Sequence, residues 1–319
     1  MTKITVIGGG TGNYTALKGL KHYDIELASI VSTADSGGSS GSLRDEFGVL
    51  PPGDLRRCLV ALSGNRGDIW RRIFEYRFEG EKENNNLGNL IITALTKMTG
   101  DLPSALDAVS EILEVKGQVL PATLDKSNLC ARLSNGQVIV GEANIDKPQH
   151  DAGLKIDKVF LEPRAFAYKK TIETILDSQL IVIGPGDLYT SIIPNLLVEG
   201  IAQAINQSRA KKVYVCNVMT KNGETNNFTA DDFATVIEKY LNGPLDYVII
   251  NNKRPAEDLL NSYQNEKSFF VESQSSGGNY RKIFSDLIDE EPLAQENGKT
   301  RPLIRHHSEK LARTIMELI

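Results

Sequence analysis

The opening of the chain constrains the fold most. A short β-branched run, Lys3 to Ile7, passes straight into Gly8-Gly9-Gly10-Thr11-Gly12, after which Tyr14, Leu17, Leu20 and Lys21 recur at helical spacing. A second apolar run, Ile25 to Val31, ends in another small-residue loop, Ala34 to Gly41. Two strands joined by a helix of this length form a right-handed unit with parallel strands. Ten of the 27 glycines fall within the first 53 residues, so these loops are where the backbone must approach something closely or take positive φ.

The remaining pattern keeps to this architecture. Helical periodicity is predicted over 54–62, 69–77, 90–98 and 104–113. The period changes to two between Gln118 and Glu142, where Leu129, Ala131 and Leu133 and then Val138 and Val140 flank Ser134-Asn135-Gly136, a hairpin signal. Strands are predicted again over 180–183, 212–216 and 247–250, with a last helix over 308–318. The expected fold class is therefore α/β, a Rossmann-like doubly wound and mostly parallel sheet. The 319 residues are read as one large domain with an antiparallel hairpin insertion near 117–163. The polar interval Asn265 to Lys299, with Ser273-Gln274-Ser275-Ser276-Gly277-Gly278-Asn279 inside it, reads as a mobile connection.

Composition removes several functions. A net charge of −5 with no long block of one sign argues against a broad nucleic-acid footprint. The most apolar stretch, Leu188 to Asn206, is broken by Pro194 and Glu199, so no membrane span is expected. Met1 to Ile7 runs into glycines where a signal peptide would have its apolar core, and a cytoplasmic protein is expected. Cys58, Cys130 and Cys216 are far apart and read as buried thiols; His22, His150, His306 and His307 have no zinc or triad spacing.

Ligands of doubly wound sheets sit outside the carboxyl ends of the strands. Four such ends carry polar, glycine-bearing loops. The first, Gly9, Gly10, Thr11 and Gly12, offers backbone N–H groups at a helix N-terminus and suits a phosphate, or is simply a tight turn; Asn13 replaces the third glycine of a dinucleotide fingerprint. The second holds Asp35 with Gly37, Gly38, Ser39 and Ser40, where Asp35 is either a Mg²⁺ ligand or a helix cap. The third carries Gly184, Gly186, Asp187 and Thr190, and the fourth Asn217 and Thr220. Between the second and third loops, Asp54 is placed as a helix N-cap. Arg56 is a candidate phosphate fork or a solvated arginine, and Asn89, in the Asn84 to Asn89 run, a reader of ligand hydroxyls or a cap. Tyr263 and Arg305 are of the types that stack on a base and pair with a diphosphate, or else packing and surface residues.

Taken in order, GGGTG at 8–12, ADSGGSSG at 34–41, PPGDLR at 51–56, LGNL at 87–90, GPGDLYTSIIPNLL at 184–197 and CNVMTKNGET at 216–225 resemble the CofD-like superfamily, and within it the bacterial gluconeogenesis factor (YvcK) group. The resemblance spans nearly the whole chain. It implies a protein that binds a nucleotide sugar of the UDP-N-acetylglucosamine type and is linked to gluconeogenic growth, cell-wall synthesis and cell shape; a regulatory role with a protein partner, and a homo-oligomer, are separate expectations. The related 2-phospho-L-lactate transferases imply the alternative, a Mg²⁺-dependent transfer from a nucleoside diphosphate donor. Ser36 stands where the group usually has a second Asp, Asn85 where His is frequent, and Asn226 where Asp is frequent. Each exchange replaces an ionisable group by a neutral one, which weakens the case for catalysis more than the case for binding.

Overall fold

The computed structural model describes residues 1–64, 68–78, 85–272, 277–288, 295–296, 299–300 and 304–319. Asn84 and Ser273 to Ser276 of the sequence-based reading lie outside these residues. The chain begins with β1 (Thr2–Gly8), α1 (Gly10–Leu20) and β2 (Ile25–Val31), and β1 pairs parallel with β2 from Thr2↔Ile25 to Gly8↔Val31. Five helices follow, α2 (Gly38–Phe47), α3 (Gly53–Leu62), α4 (Asp68–Glu75), α5 (Leu87–Thr99) and α6 (Leu102–Ile112), before β3 (Gln118–Pro121). Next come β4 (Asn128–Leu133), β5 (Val138–Val140), α7 (Glu142–Asp146) and β6 (Ile156–Glu162). The α/β rhythm resumes with α8 (Lys169–Leu176), β7 (Leu180–Ile183), a π-helical turn (Leu188–Ile192) leading into α9 (Ile193–Leu196), α10 (Ile201–Gln207), β8 (Lys211–Val215), α11 (Ala230–Leu241), β9 (Tyr247–Asn251), α12 (Glu257–Gln264) and β10 (Arg281–Ser285). The short pair β11 (Gln295–Glu296) and β12 (Lys299–Thr300) precedes α13 (Ser308–Met316).

The main sheet has the order β10-β9-β8-β7-β1-β2-β3, parallel throughout. Its strands alternate between two cores because successive side chains point to opposite faces. Val6, Val182, Val213, Val215 and Ile249 face Leu17, Leu55, Leu59, Leu311 and Ile315 of α1, α3 and α13. Ile7, Ile181, Ile183, Tyr214, Val248 and Ile250 face Ile201, Ile205, Phe233 and Ile237 of α10 and α11. Burial on both faces is what a parallel sheet needs, and each such side chain contributes roughly 1.5–3 kcal/mol. The three cysteines are free and buried.

The hairpin at Ser134-Asn135-Gly136 forms, but its sheet is separate, of order β5-β4-β6 and antiparallel. The first residues of the expected insertion belong elsewhere: β3 pairs parallel with β2 in the register Ala28↔Gln118, at the main sheet's edge. Three of its four side chains are buried, so its pattern carries no alternation to mark which sheet it joins. The second glycine loop is also shorter than its composition suggests, because Gly38 to Gly41 already form the first turn of α2. Gly41 is required there, since a Cβ would lie 2.2 Å from the Ser36 carbonyl oxygen.

Strand order reverses between β1 and β7, since β2 and β3 lie on one side of β1 and β7, β8, β9 and β10 on the other. A crevice opens outside the carboxyl ends at such a switch point. Among the described residues no helix is long and apolar enough to cross a membrane.

Candidate functional site

The crevice at the switch point is a cleft of about 460 Å³. Its floor starts at β1, where Gly9 caps α1 without any side-chain acceptor, and Gly10, Thr11 and Gly12 line the wall. Gly12 could not be any other residue, because a Cβ would come within 1.7 Å of the Pro185 carbonyl oxygen. The first and third loops are therefore in backbone contact across the switch point, held also by Asn195 Nδ2 donating to the Gly8 carbonyl at 3.1 Å. Gly186 and Asp187 line the next stretch, and Asn217 Nδ2 donates to the Gly186 carbonyl at 2.8 Å, tying the fourth loop to the third. Thr220 is pinned from behind by Phe269, whose N–H donates to Thr220 Oγ1 at 2.8 Å. Tyr263 and Arg305 close the far end with Ile304, whose N–H donates to the Tyr263 hydroxyl at 2.9 Å. Nine candidates from the sequence thus share one cleft.

The others lie behind it or beside it. Gly9 and Gly184 sit one layer back; Gly184 has φ +78°, which favours glycine. Thr190 is buried and turns to Glu224, its Oγ1 to Glu224 Oε1 being 3.3 Å. Arg56 is buried rather than solvated. Its Nε donates to Asn89 Oδ1 and its Nη1 to the Phe74 carbonyl, both at 2.9 Å, and burial pulls its pKa down to about 10. Asn89 Nδ2 in turn donates to Ser39 Oγ at 3.3 Å, so these three tie α3, α5 and α2 together. Asp54, by contrast, lines the cleft; it is not the N-cap of its own helix, whose N-cap is Pro52, and its carboxylate instead accepts the Gly10 backbone N–H at the start of α1.

Asp35 is not the cap of α2, whose N-cap is Gly37 with no side-chain cap; its Oδ1 accepts the Gly37 N–H at 2.8 Å in a turn ahead of the helix, and it also faces other acids. Burial pushes the Asp35 and Asp54 carboxyls up, the Asp35 charge pushes Asp54 further and the Asp146 charge pushes Asp35 further, while Arg57 offsets only part. Glu142 of α7 is pushed up to about 8, first by burial and then by Asp35, Asp146 and Asp54. Carboxylates that repel one another are the condition a Mg²⁺ ion relieves; Asp35, Asp54 and Glu142 fit such an ion by donor type, but their oxygens do not all lie within 4.8 Å of one another.

Reasoning from sequence missed the other charged centre. Lys221 Nζ lies 2.8 Å from Asp187 Oδ2 and 2.9 Å from Glu224 Oε1 and is also paired with Asp146. Burial alone would lower the lysine's pKa, but the three carboxylates outweigh it and hold the ammonium well above its ordinary range. Burial pushes Glu224 up and the ammonium draws it part of the way back. Among the described residues, Asp146, Asp187 and Glu224 are the one group whose carboxylate oxygens all lie within 4.8 Å of one another, and the ammonium sits among them. Lys221 and Glu224 fall inside CNVMTKNGET, so that motif contained the signal, whereas Asp146 and Glu142 come from the insertion, where nothing local marks them. His306, set aside for lack of catalytic spacing, also lines the cleft.

A profile described as 2-phospho-L-lactate transferase CofD matches residues 4–287. A putative gluconeogenesis factor from Thermotoga maritima is 42% identical over 98% of this chain and 98% of its own. The gluconeogenesis factor of Bacillus subtilis is 37% identical over 99% of this chain and 98% of its own. A crystal structure of a Bacillus halodurans protein superposes with TM-score 0.90 at 36% identity, covering 99% of this chain and 100% of that one. The glycine loops, their order around the switch point and these full-length similarities agree: the chain belongs to the CofD family, among its bacterial gluconeogenesis factors.

Proposed function

We propose that the cleft binds a nucleoside diphosphate sugar of the UDP-N-acetylglucosamine type and that the protein acts as a cytoplasmic regulator, passing the occupancy of the cleft to a protein partner. The observation that carries this reading is the layout of one cleft from end to end. The N-terminus of α1 with Gly10 to Gly12 lies at one end, Lys221 in the middle, and Tyr263 with Arg305 at the other. A helix N-terminus and cations favour a diphosphate, and an aromatic ring beside apolar walls favours a base. The placement of Asp35, Asp54 and Glu142 supports a second reading, a Mg²⁺-dependent transferase like the phospholactyl enzymes. In that reading the three carboxylates would hold the metal, which would neutralise a leaving diphosphate, and Asp54 would keep its hold on the start of α1.

Calorimetric titration with UDP-N-acetylglucosamine separates the possibilities. Arg305→Ala and Tyr263→Phe test the far end of the cleft; Tyr263→Ala is less informative because the ring is 9% exposed and packs in a small core with Val218, Leu260 and Ile304. Binding should weaken at least about tenfold in Arg305→Ala and little in Tyr263→Phe, which keeps the ring. Wild-type affinity in Arg305→Ala would reject this placement. Chromatography of wild-type protein incubated with the sugar nucleotide and Mg²⁺ should show no UDP release, and steady Asp35-dependent release would favour the transferase.

A further inference from the structure

Asp187 stands at the N-cap of the π-helical turn, a place where an aspartate ordinarily bonds the N–H groups of its own helix, yet its side chain makes no such bond. Lys221 draws the carboxylate elsewhere: Nζ donates to Oδ2 at 2.8 Å, and Asp146 and Glu224 pair with the same ammonium. The backbone at Asp187 is held as well, its carbonyl accepting the N–H groups of Ser191 and Ile192 at 2.9 and 3.0 Å. Asp187 lines the cleft, its side chain is 42% exposed, and Oδ1 accepts no hydrogen bond from any described residue. An ion pair through one oxygen fixes the carboxylate and leaves the other as an acceptor for a ligand. Neighbouring polar groups are engaged already, since Thr220 Oγ1 accepts the Phe269 N–H and Asn217 Nδ2 donates to the Gly186 carbonyl, both at 2.8 Å.

Sheet order indicates which part of a ligand meets this oxygen. β1, β7 and β8 are consecutive strands, each about 4.8 Å from the next. The glycine loop follows β1, Asp187 follows β7 and Val218 follows β8. The N–H groups of the glycine loop suit a phosphate, while Val218 packs with Tyr263 and Ile304 in a small apolar cluster that suits a base. Asp187 therefore stands between the phosphate end and the base end, where a nucleotide carries its ribose. The free edge of a ribose offers two adjacent hydroxyl donors, and an ionised carboxylate is the strong acceptor for them. In dinucleotide-binding sheets the acid that does this follows the second strand. Here the acid after β2 is Asp35, whose Oδ1 already accepts the Gly37 N–H.

We infer that Asp187 is the ribose-reading residue of the cleft, its Oδ1 accepting from the 2′- and 3′-hydroxyls, so that the site takes ribonucleotides and disfavours their deoxy forms. A site built to bond a hydroxyl rejects the analogue that lacks it, because the acceptor is then left without a donor. The inference rests on the nucleotide-binding reading above and adds to it the class of sugar that joins base to diphosphate.

The test is calorimetric titration of the full chain with UDP, 2′-deoxy-UDP and 3′-deoxy-UDP. Wild-type protein should bind UDP at least about tenfold more tightly than the weaker of the two deoxy forms. The comparison is between ligands on one protein, so a general loosening of the cleft does not move it. Asp187→Ala should bring all three ligands within about threefold of one another. Asp187→Asn keeps the shape and an amide acceptor but not the charge; it should retain only part of the preference, and it covers the case in which the alanine variant folds poorly. Equal wild-type binding of the three ligands, or an undiminished preference in the variants, would overturn the assignment while leaving the nucleotide site standing. Failure of all three to bind wild-type protein would overturn both.

Discussion

The two acidic clusters that flank the cleft are built from similar residues and balanced in opposite ways. On the β7 and β8 side, Asp146, Asp187 and Glu224 surround the Lys221 ammonium, and the cation is supplied by the fold itself. On the β2 side, burial raises the pKa values of Asp35, Asp54 and Glu142, the Asp35 charge adds to the shift of Asp54, and both aspartates add to that of Glu142, while Arg57 compensates only Asp35 and Asp54, and only in part. The first arrangement is fixed structure in which the ammonium is already paired with carboxylates. The second stores repulsion that an external cation or proton would release. The insertion contributes one acid to each, Asp146 to the first and Glu142 to the second, both from α7.

Breaking the balanced side should have the largest effect. Lys221→Met leaves three carboxylates facing one another with no ammonium between them, and it should lower unfolding stability by about 3 kcal/mol, read by urea denaturation. A loss under about 0.5 kcal/mol would mean that the ion pairs are solvated and that the contrast between the clusters is false.

The unbalanced side predicts a smaller change of opposite sign. Burial and the neighbouring acids raise the pKa of Glu142 in the folded protein to about 8 from its ordinary 4.5, so between these values the folded state holds a proton that the unfolded state has released. Its contribution to stability is therefore greatest below the unfolded value and is lost as pH rises toward about 8. Glu142→Gln should stabilise the protein at pH 8 by about 2 kcal/mol and flatten this part of the stability profile. Mg²⁺ should flatten it in the wild type too. A variant less stable than wild type at pH 8 would show that the repulsion is not real.

The smallest effect is expected for ligand affinity at Asp35. Asp35→Asn keeps an acceptor for the Gly37 N–H and relieves part of the repulsion, so nucleotide-sugar binding should stay within about tenfold. A loss of about a hundredfold would make Asp35 part of the binding machinery and move the account toward a metal-bridged ligand.

Much of this was legible in the sequence, for physical reasons specific to each element. The β1–α1–β2 unit and the core strands could be read because burial on both faces produces short β-branched runs, and the glycine loops because close approaches such as Gly12 against Pro185 admit no side chain. What could not be read depended on contacts between distant segments. Arg56 looks like a phosphate ligand in the local sequence, and only the arrival of Asn89 and the Phe74 carbonyl makes it a strut. Asp54 looks like the cap of its own helix and proves to be an acceptor for another. His306 has no motif around it, and its place in the cleft is visible only in three dimensions.

The central claim, that this cleft takes a nucleoside diphosphate sugar, is tested most directly by ligand-induced stabilisation. UDP-N-acetylglucosamine at about 100 times its Kd should add about 2.7 kcal/mol and raise Tm by roughly 5–10 °C, with NAD and ATP far behind. A larger shift with NAD than with any UDP-sugar would contradict the account.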